Sequence, residues 1–287
     1  KQAYDTTRKE THQAMEGFIH NLNTMHSRGG NQVVFSSVNY GTDFSPEGRM
    51  VIRELLSATV EGLGHGEVPV FPIQIFKVKE GVSWCEEDYR AAVRDFDKAL
   101  AGEIRFRTPN FDLLVEACRT TSVALFPNFM FLDAPFNRHE KWRIDDPDRF
   151  RYEVATMGCR TRVMGNVYDP SREVTCGRGN LSFTTINLPR LAIESKGDVD
   201  LFFTKLGAMM DLVIRQLMHR FEIQSARRVR NYPFLMGEGV WLDSEKLDWD
   251  DPVGEVLKHG TLTVGFIGLA ECLKALIGKH HGESEEA

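Results

Sequence analysis

The sequence predicts a single α/β domain, on three observations. Runs rich in β-branched and aromatic residues alternate with segments whose apolar residues recur at helical spacing. No linker, low-complexity tract, internal repeat or shift of composition interrupts that alternation over the 287 residues. A composition of 42% hydrophobic and 26% charged residues is that of a globular chain, long enough to bury a core without disulfides or metals. Pattern alone does not separate an open sheet from a closed barrel.

The elements follow in order. Met15, Phe18, Ile19, Leu22 and Met25 share one face of a helix over 5–25, which Gly29-Gly30 ends. Residues 31–38 are β-branched and aromatic and predict a strand. Ser45 is placed to cap the next helix, with Pro46 in the first turn, where a missing N–H costs nothing; that helix runs to Gly62 or Gly64. A second strand is predicted over 68–78, with helices over 86–101 and 111–124. Pro127, Pro135 and Pro147 mark 126–149 as loop-rich, and a short strand over 152–158 leads into Cys159.

Residues 180–188 predict another strand. Helical spacing is strongest over 199–223, where Phe202, Leu206, Met209, Met210, Val213, Leu217 and Phe221 recur, the methionines read as core filling. Alternating Leu262, Val264 and Phe266 predict a strand over 260–267, followed by a helix over 269–277 that Gly278 closes.

Charge and cysteine usage exclude some classes. With 35 basic and 41 acidic side chains the net charge is −6, which gives no support for a nucleic-acid surface. No apolar run is long enough to span a bilayer, and no signal peptide opens the chain. Cys85, Cys118, Cys159, Cys176 and Cys272 are odd in number, widely spaced and without a CxxC pair, so no metal site is expected in this segment and a reducing, cytoplasmic setting fits. The chain opens on Lys1, and residues 284–287 look like the start of a helix; both features suggest a fragment.

Three places invite chemistry. Cys159, in Met157-Gly158-Cys159-Arg160, follows a glycine at a strand end and is placed to project into a cleft, although a free cysteine is more often inert and buried. Gly177-Arg178-Gly179-Asn180 lets backbone approach a ligand, and the Asn180 amide is able to orient a sugar hydroxyl; an ordinary glycine turn has the same residues. The junction Gly265-Phe266-Ile267-Gly268-Leu269-Ala270-Glu271 exposes the N–H groups of a helix start, which favour phosphate, although packing explains most such glycines. Arg227, Arg228 and Arg230 read as a solvated helix end, and His280-His281 with Glu283 as an exposed turn.

Longer stretches carry a resemblance. They include Thr24-Met25-His26-Ser27-Arg28-Gly29-Gly30, Phe35-Ser36-Ser37-Val38-Asn39-Tyr40-Gly41-Thr42-Asp43 and Phe71-Pro72-Ile73-Gln74-Ile75-Phe76-Lys77. Phe131-Leu132-Asp133-Ala134-Pro135-Phe136-Asn137, Ala155-Thr156-Met157-Gly158-Cys159-Arg160-Thr161, Arg178 through Arg190 and Gly265 through Glu271 complete the set. Together, and in this order, they resemble the anaerobic, class III ribonucleoside-triphosphate reductases.

The resemblance implies a fold and an activity. The fold is a ten-stranded α/β barrel of the ribonucleotide reductase and glycyl radical enzyme type. Residues 1–287 would be a partial catalytic barrel domain, truncated at both ends, without the N-terminal ATP cone or the C-terminal glycyl radical and zinc domain. A finger loop inside the barrel would carry Cys159, which becomes a thiyl radical and takes hydrogen from C3′ of the ribose. Asn180 would contact that ribose, and the triphosphate is expected against Gly265 and Gly268 together with a second helix start after Gly282.

Formate is the implied reductant. The glycyl radical would be installed by an activating enzyme that uses S-adenosylmethionine and an iron–sulfur cluster. Nucleotide effectors (ATP and deoxynucleoside triphosphates) and a homodimer complete the expected partners. Thr161 stands where aerobic relatives place a glutamate, in keeping with the anaerobic class. Cys85, Cys118, Cys176 and Cys272 are expected to be structural. The alternative is an inactive nucleotide-binding or structural fragment. A formate-lyase type of glycyl radical enzyme fits less well, because those favour adjacent cysteines and Cys159 is followed by Arg160.

Overall fold

A computed structural model describes residues 1–24, 26–28, 32–33, 35–158, 161–172 and 175–287. The chain divides into two compact units, the first running to residue 165 and the second taking residues 166–172 and those from 176 onward.

The first unit opens on helix α1 (Gln2–Thr24). Met25 and Gly29-Gly30, expected at its end, lie outside the described residues. Two short strands, β1 (His26–Arg28) and β2 (Gln32–Val33), pair antiparallel. The unit's main sheet is parallel, with β3 (Ser37–Tyr40), β4 (Ile73–Val78) and β5 (Asn128–Phe131) in that spatial order. The helix α2 (Pro46–Glu61) links β3 to β4, and its N-cap is the predicted one: the Ser45 hydroxyl accepts from Gly48 N at 3.0 Å.

All six residues of β4 are buried, as a central parallel strand covered on both faces requires. Phe76 and Val78 pack with Ile52, Leu56, Leu113 and Ala117 of the helices, and Ile73 and Ile75 pack on the other side with Phe71 and Phe126. Gly41 leaves β3 at φ 118°, and a Cβ there would lie 2.6 Å from the Lys77 carbonyl oxygen, so only glycine permits this approach of loop to sheet.

Two predicted elements differ. The helix expected over 86–101 is two helices, α3 (Glu86–Arg94) and α4 (Phe96–Leu100), because the Asp95 carboxylate turns to cap Lys98 N and takes its own backbone out of the helical region. Helix α5 (Phe111–Val123) is as expected, but the loop-rich stretch after it contains β5. The unit closes on a hairpin of β6 (Ala155–Met157) and β7 (Thr161–Val163), paired antiparallel.

The second unit is built on one parallel pair, β8 (Asn180–Asn187) and β9 (Thr261–Ile267), paired from Asn180↔Thr261 to Asn187↔Ile267 with a register shift between Asn180 and Ser182. Helix α6 (Leu188–Ser195) follows β8 directly, capped by Asn187 with Pro189 in its first turn; sequence pattern had this stretch ending a strand. The long helix α7 (Val199–Ser225), a single turn α8 (Gly254–Leu257) and α9 (Leu269–Ile277) complete the unit. Ile186, Leu191, Phe202, Val213, Leu217 and Cys272 form one core, and Val229, Trp241, Val253 and Val256 another. Met209 packs on the first core as expected of a filler, but Met210 is 38% exposed.

Asp243 pins the turns of this unit. Its carboxylate accepts from both terminal nitrogens of Arg172, at 2.8 and 2.5 Å, and from Lys246 Nζ at 2.8 Å, and it lies 3.2 Å from His259 Nε2. The Arg172 guanidinium, helped by Lys246, holds this carboxyl well below the usual carboxylate range. Because the folded value is depressed, the stabilisation is present above the unfolded value of about 4 and is lost as pH falls below it. Asp243→Asn is expected to lower stability by about 1–3 kcal/mol at pH 7. In urea titrations the gap between variant and parent should narrow steadily as pH falls below 4; a gap independent of pH would contradict this.

The ten-stranded barrel is not observed. Among the described residues nine strands fall into sheets of two, three, two and two, and β3, β5, β8 and β9 each end a sheet with no further strand to close it. The architecture is mixed α/β with both parallel and antiparallel pairing. The helix expected after Gly282 is also absent: Ser284 Oγ accepts from Ala287 N at 3.3 Å, the bond of an N-cap, but no helical turn is formed there.

Candidate active site

In the first unit, β6 ends at Met157, whose register partner Thr161 opens β7. Cys159 and Arg160 lie outside the described residues, but the arms on either side are held by named contacts. Ser37 and Asn39 stand two apart on β3, so both side chains leave the same face of the sheet. The Asn39 amide donates to Thr156 O at 2.9 Å and accepts from Thr156 N at 2.9 Å, pairing with that residue as a neighbouring strand would. The Ser37 hydroxyl accepts from Gly158 N at 3.1 Å. The arm before residue 159 is thus bonded to the sheet at two successive points.

The other arm is held by Arg162. Its Nε donates to Asn137 Oδ1 at 2.8 Å, and its guanidinium also bonds the Phe136 carbonyl. Asn137 in turn donates to Phe131 O at the end of β5, at 2.9 Å. Beneath the hairpin, the buried Glu153 accepts from Thr42 Oγ1 at 2.9 Å, Lys77 Nζ at 3.1 Å and Trp142 Nε1 at 3.1 Å. Thr156, Arg162 and Asn137 line a cavity of about 470 Å³ together with Phe129 and Phe131 of β5. That cavity is large enough for part of a small ligand and offers it apolar walls, the amides of Asn128 and Asn137, the Thr156 hydroxyl and one cation.

In the second unit, Asn180 is the first residue of β8, exposed, with its Oδ1 accepting from Thr263 Oγ1 at 3.2 Å. The amide nitrogen of an asparagine is a donor, of the kind a sugar hydroxyl accepts from. Gly265 and Gly268 sit at the far end of the same strand pair. Gly268 caps α9 with φ 75°, and a Cβ on it would lie 2.4 Å from Pro189 Cγ, so this glycine is required by strand–helix packing as well as by backbone conformation. Gly265 has more room, its Cβ meeting Thr185 Oγ1 at 3.4 Å. Gly268 is seven positions beyond the partner of Asn180, roughly 23 Å along a strand. The structure therefore brings Gly265 and Gly268 to one end and Asn180 to the other.

Comparison with known proteins decides the family. The family model described as anaerobic ribonucleoside-triphosphate reductase matches residues 1–287. The chain belongs to that family. Relatives of that name from Salmonella typhimurium and Escherichia coli K12 are each 27% identical over 282 residues, covering 97% of this chain and 35% of their own length. The one from Enterobacteria phage T4 is 27% identical over 287 residues, covering 98% of this chain and 42% of its own. The chain thus spans about a third of the length of the reductases it matches.

The bonds that hold the two arms form a clamp that sequence pattern did not show. Ser37, Asn39, Asn137, Glu153 and Arg162 were not singled out; the available signal was a pair of polar residues two apart on a strand whose neighbours are apolar. Of the four cysteines expected to be structural, Cys272 is buried and Cys85 caps α3 through its sulfur, whereas Cys118 and Cys176 are exposed and belong to no core. No helix among the described residues is long and apolar enough to cross a membrane.

Under the role proposed below for residue 159, Asn39→Ala should lower turnover of the full-length protein by about 10²-fold, the cost of displacing a reacting group by roughly an ångström. A change confined to KM, or none, would show that the arm holds its place without the amide.

Proposed function

We propose that this chain supplies the reacting cysteine and the ribose contact of an anaerobic ribonucleoside-triphosphate reductase. The reading rests on the family match together with the bonds that fix both arms around residue 159. In this proposal a thiyl radical on Cys159 takes the hydrogen atom from C3′, forming S–H and leaving the sugar radical, while the Asn180 amide orients a ribose hydroxyl. The net reaction consumes one formate and one proton per ribonucleotide and releases carbon dioxide, water and the deoxyribonucleotide.

The glycyl radical that starts the cycle, its S-adenosylmethionine-dependent activating enzyme, the zinc domain and the nucleotide effectors belong to the proposal for the whole protein. So do the dimer and the ten-stranded barrel. The barrel is supported by the two outer edges of the β8–β9 pair, which no other strand among the described residues occupies and which further strands would pair with.

The activated full-length protein should convert a ribonucleoside triphosphate and isotopically labelled formate into deoxynucleotide and labelled carbon dioxide in equal amounts. Deoxynucleotide formed without labelled carbon dioxide would remove formate from the reaction. The chain of 287 residues alone covers a third of its relatives, which favours a second reading in which it is inactive by itself. Incubated with activating enzyme, it should then show no organic radical by electron paramagnetic resonance.

The triphosphate is proposed to meet the start of α9 at Gly265–Glu271, where helix N–H groups favour an anion by a few tenths to about 1 kcal/mol. Gly265→Ala is the informative variant, because a side chain at Gly268 would disturb Pro189 first. It should weaken triphosphate binding several-fold by calorimetry; unchanged affinity would place the phosphates elsewhere.

A further inference from the structure

Helix α1 is fastened to the first unit in two different ways along its length. Its C-terminal half is docked by packing and by an amide. Ile19 is buried with Leu55 and Ala58 of α2, Met15 and Phe18 pack around them, and Asn23 Oδ1 accepts from Val70 N and Phe71 N at 2.9 and 3.0 Å. Residues 2–10 are all exposed, and the bonds that tie this half to α2 are polar. Arg8 Nε donates to Glu54 Oε1 at 2.7 Å, and Thr11 Oγ1 adds a weak contact with Met50 Sδ at 3.7 Å. The remaining hold comes from His12.

His12 is surrounded by carboxylates. Its Nδ1 lies 3.0 Å from Glu54 Oε2 and its Nε2 lies 3.1 Å from Glu61 Oε2, both on α2. Glu16 Oε1, one turn further along α1, is 3.9 Å from Nε2. Ser57 Oγ donates to Glu61 Oε1 at 3.1 Å, which leaves Oε2 for the ring. Arg8 is the cation facing the same group, and the charge of Glu116 on α5 acts on Arg8 in turn. A carboxylate only accepts, so both ring nitrogens must donate, and only the imidazolium has two donors. Burial of the ring opposes its charge. The bonds to Glu54 and Glu61 and the charges of Glu61 and Glu16 outweigh that, and the His12 pKa is raised above its ordinary value.

We propose that His12 is a proton-operated latch: its imidazolium fastens the N-terminal half of α1 to α2, and loss of the proton frees that half while the half from Met15 onward stays docked. A neutral ring keeps one donor and turns a lone pair on a carboxylate, with Glu16 adding to the repulsion. Because the folded value is raised, the hold is fully present below the unfolded value of about 6.5 and is lost as pH rises through the folded value. Glu61 stands 49 positions from His12, so helix pairing and not sequence spacing brings the group together.

The test follows backbone amide exchange of the full chain at about pH 6 and about pH 9, each amide referred to its intrinsic rate at that pH. Protection of residues 8–13 should fall several-fold at the higher pH, and that of residues 17–23 should stay constant. His12→Gln should show the lower protection at both values, and His12→Lys, which keeps a cation, should remove the pH response. By NMR the His12 ring should titrate above about 6.5 in the parent and lower in Glu61→Gln, a change at a half-exposed position that leaves the fold in place. Equal protection of residues 8–13 at the two pH values in the parent overturns the proposal. So does a pH response that persists in His12→Gln, or a ring that titrates at or below about 6.5.

Discussion

Cys159→Ala in the full-length reductase is expected to abolish ribonucleotide reduction while the glycyl radical signal stays at its parent intensity. A C3′–H bond is too strong for a side-chain base to break at neutral pH. A thiyl radical exchanges hydrogen with it reversibly and is regenerated at the end of the cycle. Alanine has no S–H, so no other atom of residue 159 is able to replace the sulfur. The arms around it should stay in place, because Asn39, Ser37 and Asn137 bond to residues 156, 158 and 162 and none of these bonds uses the thiol. Turnover and radical content therefore separate in this variant. Residual reduction above background would count against the radical role, and loss of the glycyl doublet would mean that the substitution acts on activation and not on the sugar.

The sequence was most legible where one residue sets a local conformation. Ser45 and Pro46 at the start of α2, and Gly278 in the left-handed conformation after α9, are decided by backbone bonds within a turn, and both were readable. The strands β4, β8 and β9 were readable because their runs of β-branched and aromatic residues are long. β5 was not, because its four residues Asn128–Phe131 follow a proline and sit in a stretch dominated by turns; only pairing with β4 makes it a strand. α6 was hidden for the opposite reason. Asn187-Leu188-Pro189 is a good cap followed by a first-turn proline, but it adjoins β8 without a loop, so the strand pattern ran into it.

Faces were less legible than elements. Phe266 alternates correctly with Val264 and Leu262 yet is more than half exposed, and Met210 follows the period of α7 without being buried. Periodicity states that a face is apolar and leaves open what covers it. The chemistry was least legible of all. Cys159 is proposed from its neighbours in sequence, whereas the clamp that holds the arms on either side comes from residues about 120 positions earlier, such as Asn39 and Ser37, and from Asn137. Tertiary pairing alone brings these together.

The second large effect concerns stability under the hairpin. Glu153 is buried, with a side chain 2% exposed, and Lys77 on the central strand is 9% exposed. The carboxylate has three donors around it, from Lys77, Thr42 and Trp142. Glu153→Leu is expected to cost about 3–5 kcal/mol, chiefly because it leaves an ammonium buried without a counter-charge. Adding Lys77→Met removes that ammonium, and the double variant should regain most of the loss. It should still fall short of the parent by about 1–3 kcal/mol, because Thr42 and Trp142 keep donors with no acceptor. Urea unfolding of the four chains closes the cycle, and the coupling it yields measures the ion pair apart from the other two bonds. If the double variant loses the sum of the two single losses, Lys77 is not held by Glu153. The carboxylate would then act through Thr42 and Trp142, anchoring β6 to the loops rather than to the sheet.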